Sequence, residues 1–275
     1  MGDTEQLAIV QLDATDAAGG LLLSTEAHWN QNEADWRFFL TKGTVFGVRD
    51  GSARLVATAA LLPYTESGAW ISMVLVTESW RRRGLATRLV DTCLEKAKKL
   101  GLTTWLDATP AGATVYGPLG FTPTIELRRL RLAKASAPSP RASLPVGNLD
   151  AFTTCDIGAM GIDRRDLLRE LSERTGSRLV SKGSAMALVR DGRTARHIGP
   201  LFADTPEHAL AMVQDMAARE TGTLLIDAVA AHTEFLGGLT ASGWSIERPF
   251  QRMRFGGTTI QPAQPPFAVA GPEFG

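Results

Sequence analysis

Between residues 85 and 100, Leu85, Leu89, Cys93, Ala97 and Leu100 recur every three or four positions with mostly polar residues between them. That period predicts an amphipathic helix, and Gly101 ends it. The preceding run WISMVLV at 70–76 is apolar with little alternation, which predicts a buried strand. The rest of the first half alternates similarly. Residues 7–12 predict a short strand, and 15–27 and 32–40 predict helices. Residues 45–48 and 54–62 predict a hairpin across Asp50-Gly51. Residues 102–108 predict a strand and 112–117 a turn or two of helix. Residues 123–132 predict a final strand that would expose Arg128, Arg129 and Arg131. The layout is mixed α/β.

The second half repeats this order more weakly. Helices are predicted at 163–174, 206–220 and 233–241, and strands at 184–190, 197–202, 223–227 and 244–255. Pro206 suits a first helical position, with Asp204 or Thr205 as cap. Gly120-Phe121 in the first half is mirrored by Gly243-Trp244 in the second, so the pattern reads as an internal duplication. Pro138, Pro140 and Pro145 among Ser, Ala and Gly predict a linker. The expected division is a first domain at 1–133, a linker at 134–147 and a second domain at 148–275. The Gly- and Pro-rich residues 256–275 are expected to form an irregular tail along the surface.

Composition narrows the function classes. Lys plus Arg and Asp plus Glu number 29 each, for a formal net charge of zero, which argues against a general nucleic-acid binder. Cys93 and Cys155, the two cysteines, are far apart, so free thiols and a cytoplasmic location are expected. The four histidines form no metal-binding spacing, so no metal is expected. The N-terminus lacks signal-peptide features and no stretch is long and apolar enough to span a bilayer, so no membrane partner is expected.

The candidate chemistry lies between the apolar strand and the long helix. There the chain reads Arg81-Arg82-Arg83-Gly84-Leu85-Ala86-Thr87. A helix start carries unpaired N–H groups and positive potential, which suit an anion. Gly84 and Ala86 would let phosphate oxygens approach the backbone, and the arginines would add charge-assisted hydrogen bonds. This differs from both the dinucleotide fingerprint and the P-loop.

The stretch resembles the acyl-CoA signature of the GNAT acyltransferase superfamily: Arg or Gln, two residues, Gly, one residue, then Gly or Ala. Arg81, Gly84 and Ala86 fill those slots after a Val74–Val76 strand end, and Tyr116 and Gly120-Phe121 follow at the family's places. The resemblance covers about residues 5–132. It implies two GNAT-like domains in tandem, each a mixed, mostly antiparallel twisted sheet flanked by helices. It also implies acetyl-CoA as co-substrate, with Val74, Val76, Arg81, Arg82, Arg83, Gly84, Leu85, Ala86 and Thr87 as its contacts. Tyr116 would be the general acid that protonates the departing thiolate. Thr109 stands where many members carry Asn. A general base is not legible; Glu66, Glu26 and Asp35 are candidates that read equally as surface charges.

For the acceptor, Glu26, Trp29, Asn30 and Tyr64 are the candidate contacts, with Gln31 beside them. The WNQ-x-x-x-DW pattern resembles a bacterial subgroup of tandem GNAT proteins whose second domain is divergent. In the second half, Asp204 and Glu207 occupy the corresponding helix start and would repel a diphosphate, so that half is not expected to bind CoA in the usual way. Arg196 and His197 could reach the acceptor pocket or simply pack. The expected activity is acetyl transfer to a small-molecule amine by direct attack in a ternary complex, by a monomer or homodimer. A non-catalytic acyl-CoA sensor and a protein N-acetyltransferase remain alternatives.

Overall fold

The computed structural model describes residues 7–135, 143–257 and 264–275. The predicted linker and tail fall partly on 136–142 and 258–263, outside the described residues. The strands are β1 (Ile9–Gln11), β2 (Thr44–Arg49), β3 (Leu55–Pro63), β4 (Gly68–Val76), β5 (Thr103–Ala108) and β6 (Thr122–Ala135) in the first half. The second half adds β7 (Arg178–Lys182), β8 (Ala185–Arg190), β9 (Arg196–Phe202), β10 (Gly222–Val229) and β11 (Ser245–Phe255). The helices are α1 (Ala17–Glu26), α2 (Glu33–Lys42), α3 (Leu85–Lys99), α4 (Pro110–Tyr116), α5 (Leu149–Met160), α6 (Arg165–Glu173), α7 (Pro206–Ala217) and α8 (Thr233–Ala241).

The sheet is mixed and mostly antiparallel and is flanked by helices, as expected, and it runs on from one half into the other. Among the described residues the strands form one sheet in the order β1-β2-β3-β4-β5-β11-β6-β10-β9-β8-β7. The last strand of each half has crossed to the other. β11 pairs antiparallel with β5 as well as β6, and β6 pairs antiparallel with β10. The duplication is therefore real in topology, since β4–β5 and β9–β10 are the two parallel pairs, but neither half closes its sheet alone. A single apolar cluster joins Trp36, Phe39 and Trp70 of the first half to Phe152, Leu168 and Phe274 of the second.

Two expectations need amending, and two elements are added to those expected. Arg129 is buried, 4% exposed, because β6 is an interior strand. Helix α5 and strand β7 had no clear sequence signal: α5 has no apolar stripe and β7 is a short edge. The surface tail is also overturned. Phe267, Ala268, Val269, Ala270 and Phe274 are buried, and the Phe274 ring stacks on Phe39 with centroids 5.2 Å apart.

Asn30 shows how tightly the halves are joined. Its amide nitrogen donates to the Ala195 carbonyl at 2.9 Å, and its oxygen accepts from the N–H groups of Thr194 and Ala195, each at 3.0 Å. Gly192 makes this approach feasible, since a Cβ there would lie 2.1 Å from Asn30 Nδ2. Asn30→Ala would strand these buried groups and should cost about 2–3 kcal/mol, read as a lower denaturant midpoint at unchanged slope.

Candidate active site

Strand β4 is kinked in its middle. Its register with β3 slips between Thr58–Leu75 and Ala60–Ser72, and Met73 sits at φ 51°. The Thr58 hydroxyl donates to the Met73 carbonyl at 2.8 Å and holds the bulge. Pairing with β5 covers Gly68–Thr103, Ala69–Thr104 and Trp70–Trp105 and then stops. Beyond Trp70 the two parallel strands part and leave a wedge. Ile71, Ser72, Met73 and Val74 line one side of a cleft there, and Leu106, Asp107 and Ala108 line the other.

The wedge leads along β4 to the start of α3. Gly84 is the N-cap at φ 74° and no side chain caps the helix. The first intrahelical bond runs from Arg88 N–H to the Gly84 carbonyl, so the N–H groups of Leu85, Ala86 and Thr87 have no intrahelical acceptor. A Cβ on Gly84 would meet nothing within 4 Å; its left-handed φ and open approach, rather than crowding, favour glycine there. Leu85 offers only its backbone, because its side chain is core. The arginines are partly committed. Arg81 Nε donates to the Val76 carbonyl at 3.1 Å. Arg83 donates to the Ser79 carbonyl and lies 4.5 Å from the Trp80 ring centroid. Arg82 is exposed.

Tyr116 ends α4 and lines the cleft. Thr109 accepts from Gly112 N–H at 3.1 Å, so it caps the short helix that carries the tyrosine. Gly112 matters sterically, since a Cβ there would lie 3.0 Å from the Tyr116 ring. Burial pushes the phenol up to about 12, with a smaller contribution from Cys93.

The far end of the cleft comes from elements that sequence reasoning treated separately. Trp29 and Gln31 enter from the loop before α2, Arg129 from β6, Arg248 and Phe250 from β11, and Pro272 and Glu273 from the C-terminal segment. The space between these walls is about 630 Å3, counting the open solvent at its mouth. Three buried oxygens there have no hydrogen-bond partner: Gln31 Oε1, Ser72 Oγ and Glu273 Oε2. Glu273 is held by its other oxygen, which accepts from Arg190 at 2.8 Å. Asp107 pairs in two contacts with Arg252, at 2.8 and 2.9 Å. Burial raises its carboxyl and Arg252 opposes that shift. Arg129 pairs in two contacts with Asp227, each at 2.8 Å, and Asp227 also bonds His197 at 2.9 Å.

Of the acceptor candidates, Trp29 reaches the cleft, as does Gln31 beside it, whereas Glu26, Asn30 and Tyr64 do not. Glu26 instead accepts from the Thr77 hydroxyl and from Glu78 N–H, fixing the turn after β4. These two bonds, the Thr77 one foremost, lower its carboxyl. Asn30 joins the two halves, as described above. Tyr64 donates to the Phe274 carbonyl at 2.7 Å, and burial raises its phenol. Asp35 is tied to the cap of α2 and to Arg174, and Glu66 is exposed. His197 packs in the core; burial lowers its imidazole. Arg196 pairs with Glu220. Glu273 was missed because the tail gave no sign of folding inward.

Among the described residues the second half has no equivalent opening between its parallel strands. Its parallel strands β9 and β10 also part, but residues 267–269 fill the gap. Leu201 N–H donates to Ala268, Val229 N–H to Phe267, and Val269 N–H to Asp227. Helix α7 is capped by Thr205 and carries Glu207 in its first turn. Among the described residues no group of three or more His, Cys, Asp or Glu side chains could hold a metal ion, and no helix is long and apolar enough to cross a membrane.

Comparison with known proteins gives consistent matches. Residues 14–121 match the model of the acetyltransferase (GNAT) family, and residues 153–265 match a second model described as an acetyltransferase (GNAT) domain. The uncharacterized N-acetyltransferase YitH of Bacillus subtilis (strain 168) is 22% identical over 247 residues, covering 86% of this chain and 87% of YitH. A crystal structure from Pyrococcus horikoshii, provisionally described as an acetyltransferase, superposes with a TM-score of 0.81 at 20% identity. It covers 100% of this chain and 98% of its own. A tandem GNAT protein from the clavulanic acid biosynthesis pathway superposes with a TM-score of 0.62 at 16% identity, covering 92% and 100%.

Proposed function

Because the chain belongs to the GNAT acetyltransferase family, as two such domains in tandem, we propose that this N-acetyltransferase moves an acetyl group from acetyl-CoA to an amine of a small molecule. One observation carries the reading: Tyr116, Glu273 and Gln31 line the same cleft beside the freed edge of β4, and Glu273 and Gln31 each keep a buried oxygen without a hydrogen-bond partner. Two acceptor oxygens, one of them a carboxylate, suit an N–H-bearing group. Walls from both halves favour a small acceptor over a protein surface.

Acetyl-CoA would supply the acyl group as an activated thioester. The free edge of β4 near Val74 and Val76 would take the pantetheine arm, and the open N–H groups at 85–87 would take the diphosphate. The fit is reasonable on this structure's own terms, because that helix end is uncapped and the wedge is open. Glu273 Oε2 would accept a proton from the amine as its nitrogen forms the new C–N bond. Tyr116 Oη would give its proton to sulfur as the C–S bond breaks. Direct attack needs no protein nucleophile, and Cys93 is buried with its thiol pushed up to about 12.

The test is an amine panel with acetyl-CoA, reading CoA release and acetylated product together. Turnover with at least one small amine is expected. Tight acetyl-CoA binding without turnover of any amine would contradict the reading. Gly84→Val tests the diphosphate site separately. It should raise the Kd for CoA about tenfold or more by obstructing the helix end. The left-handed φ should also cost about 1–2 kcal/mol of stability. Unchanged CoA affinity would remove the site from α3.

A further inference from the structure

The charges around the acceptor end do not balance locally, and this points to the acceptor's own charge. Four acidic or basic side chains line the cleft. Asp107 is matched by Arg252, Arg129 by Asp227 and Glu273 by Arg190. Arg248 remains. Its nearest carboxylate oxygen, on Glu247, is 3.9 Å away, and the other oxygen of Glu247 is engaged by Arg131 at 2.6 Å. Arg248 Nε is buried and has no hydrogen-bond partner. A second cation lies close: the guanidinium carbons of Arg129 and Arg248 are 5.2 and 5.3 Å from the Phe250 ring centroid. Burial, then the Arg129 charge, holds Arg248 below the usual guanidinium range. A half-buried guanidinium, 29% exposed, whose Nε has no partner and which lies near a like charge is stabilised by an anion that reaches it. The cleft also holds a complementary feature, the unpartnered oxygens of Gln31 and Glu273, both nine-tenths or more buried.

Resting on the acyl-transfer reading, we infer that the acceptor is an amine that also carries a carboxylate, an amino acid, with its carboxylate on Arg248 and its amino group at Glu273 and Gln31. One unmatched positive charge fits one carboxylate better than a doubly charged phosphate. Trp29, Ile71, Leu106 and Phe250 supply apolar wall, which favours an amino acid with an apolar side chain.

The experiment uses the full chain with L-phenylalanine, L-leucine and L-methionine, each beside its amide and its decarboxylated amine. With acetyl-CoA, kcat/KM for an amino acid should exceed that for its amide by about tenfold or more. In Arg248→Gln that ratio should collapse toward one, chiefly through the KM of the amino acid. Arg248→Lys should recover part of it, because it keeps the charge and loses the fork. Equilibrium dialysis of the same compounds with CoA present reads the preference without turnover. Amides and amines used as well as the amino acids, or a ratio untouched in Arg248→Gln, overturn the inference and leave acyl transfer standing. Selective retention of amino acids without turnover overturns the acyl-transfer reading and leaves the carboxylate site standing. Neither turnover nor selective retention overturns both.

Discussion

Tyr116→Phe is expected to lower kcat about 100-fold or more, within the range for losing a positioned general acid. The KM for acetyl-CoA should change little, since the ring that packs against Phe121 is kept. Stability should also hold. Among the described residues no hydrogen bond contributes to the environment of the hydroxyl; burial dominates it. Its raised value, about 12, means that the proton stays on oxygen throughout the working range. The wild type should therefore show no alkaline fall from phenol ionisation up to about pH 10. A variant with full kcat would assign the proton to another donor.

The largest stability effect should come from Asp227→Ala. Asp227 is fully buried and holds Arg129 in two contacts and His197 in one. Removing it leaves a guanidinium buried in the middle of the sheet without its counter-charge. Breaking such a pair costs about 3–5 kcal/mol. Replacing both partners with apolar residues of similar volume, as in Asp227→Leu with Arg129→Met, should recover much of the loss. Chemical denaturation of the two variants checks this, and equal destabilisation of both would contradict it.

The same cluster sets an acid limit. His197 is held below its ordinary value, mainly by burial. The unfolded chain therefore takes up that proton first, and stability falls as pH drops below about 6.5. Asp227 is also depressed: burial is the largest single influence and raises its carboxyl, but the Arg129 charge and the hydrogen bonds from His197 and Arg129 together outweigh it. Its contribution is complete above about pH 3.9 and is lost as pH falls through its lower folded value. Unfolding midpoints across this range should fall in two stages.

The sequence made legible whatever depends on local pattern. The period of Leu85, Leu89, Cys93 and Ala97 located α3, and Arg81, Gly84 and Ala86 located its open end. Tyr116 was legible through its place after the long helix and following strand. The acceptor end was not, because non-local pairing creates it. Arg129 looked exposed on a final strand until β11 and β10 flanked it. Glu273 lies in a segment with too many Gly and Pro residues to suggest burial, yet the FAVA run before it bridges the diverging ends of β9 and β10. Asn30 and Tyr64 looked like pocket residues because polar groups near a cleft and polar groups joining two halves look alike in one dimension. The exchange of final strands had no local signal, since β6 and β11 have the same strand character in either pairing.

In the proposed reaction one cleft, walled by both halves, passes the acyl group directly to an amine. Rapid-quench single turnover with acetyl-labelled acetyl-CoA and a productive amine tests it most directly. Label is expected to leave CoA and appear on the amine at the same rate, with none on protein at any time. Label that accumulates on the protein before reaching the amine, or that never leaves CoA, would contradict it.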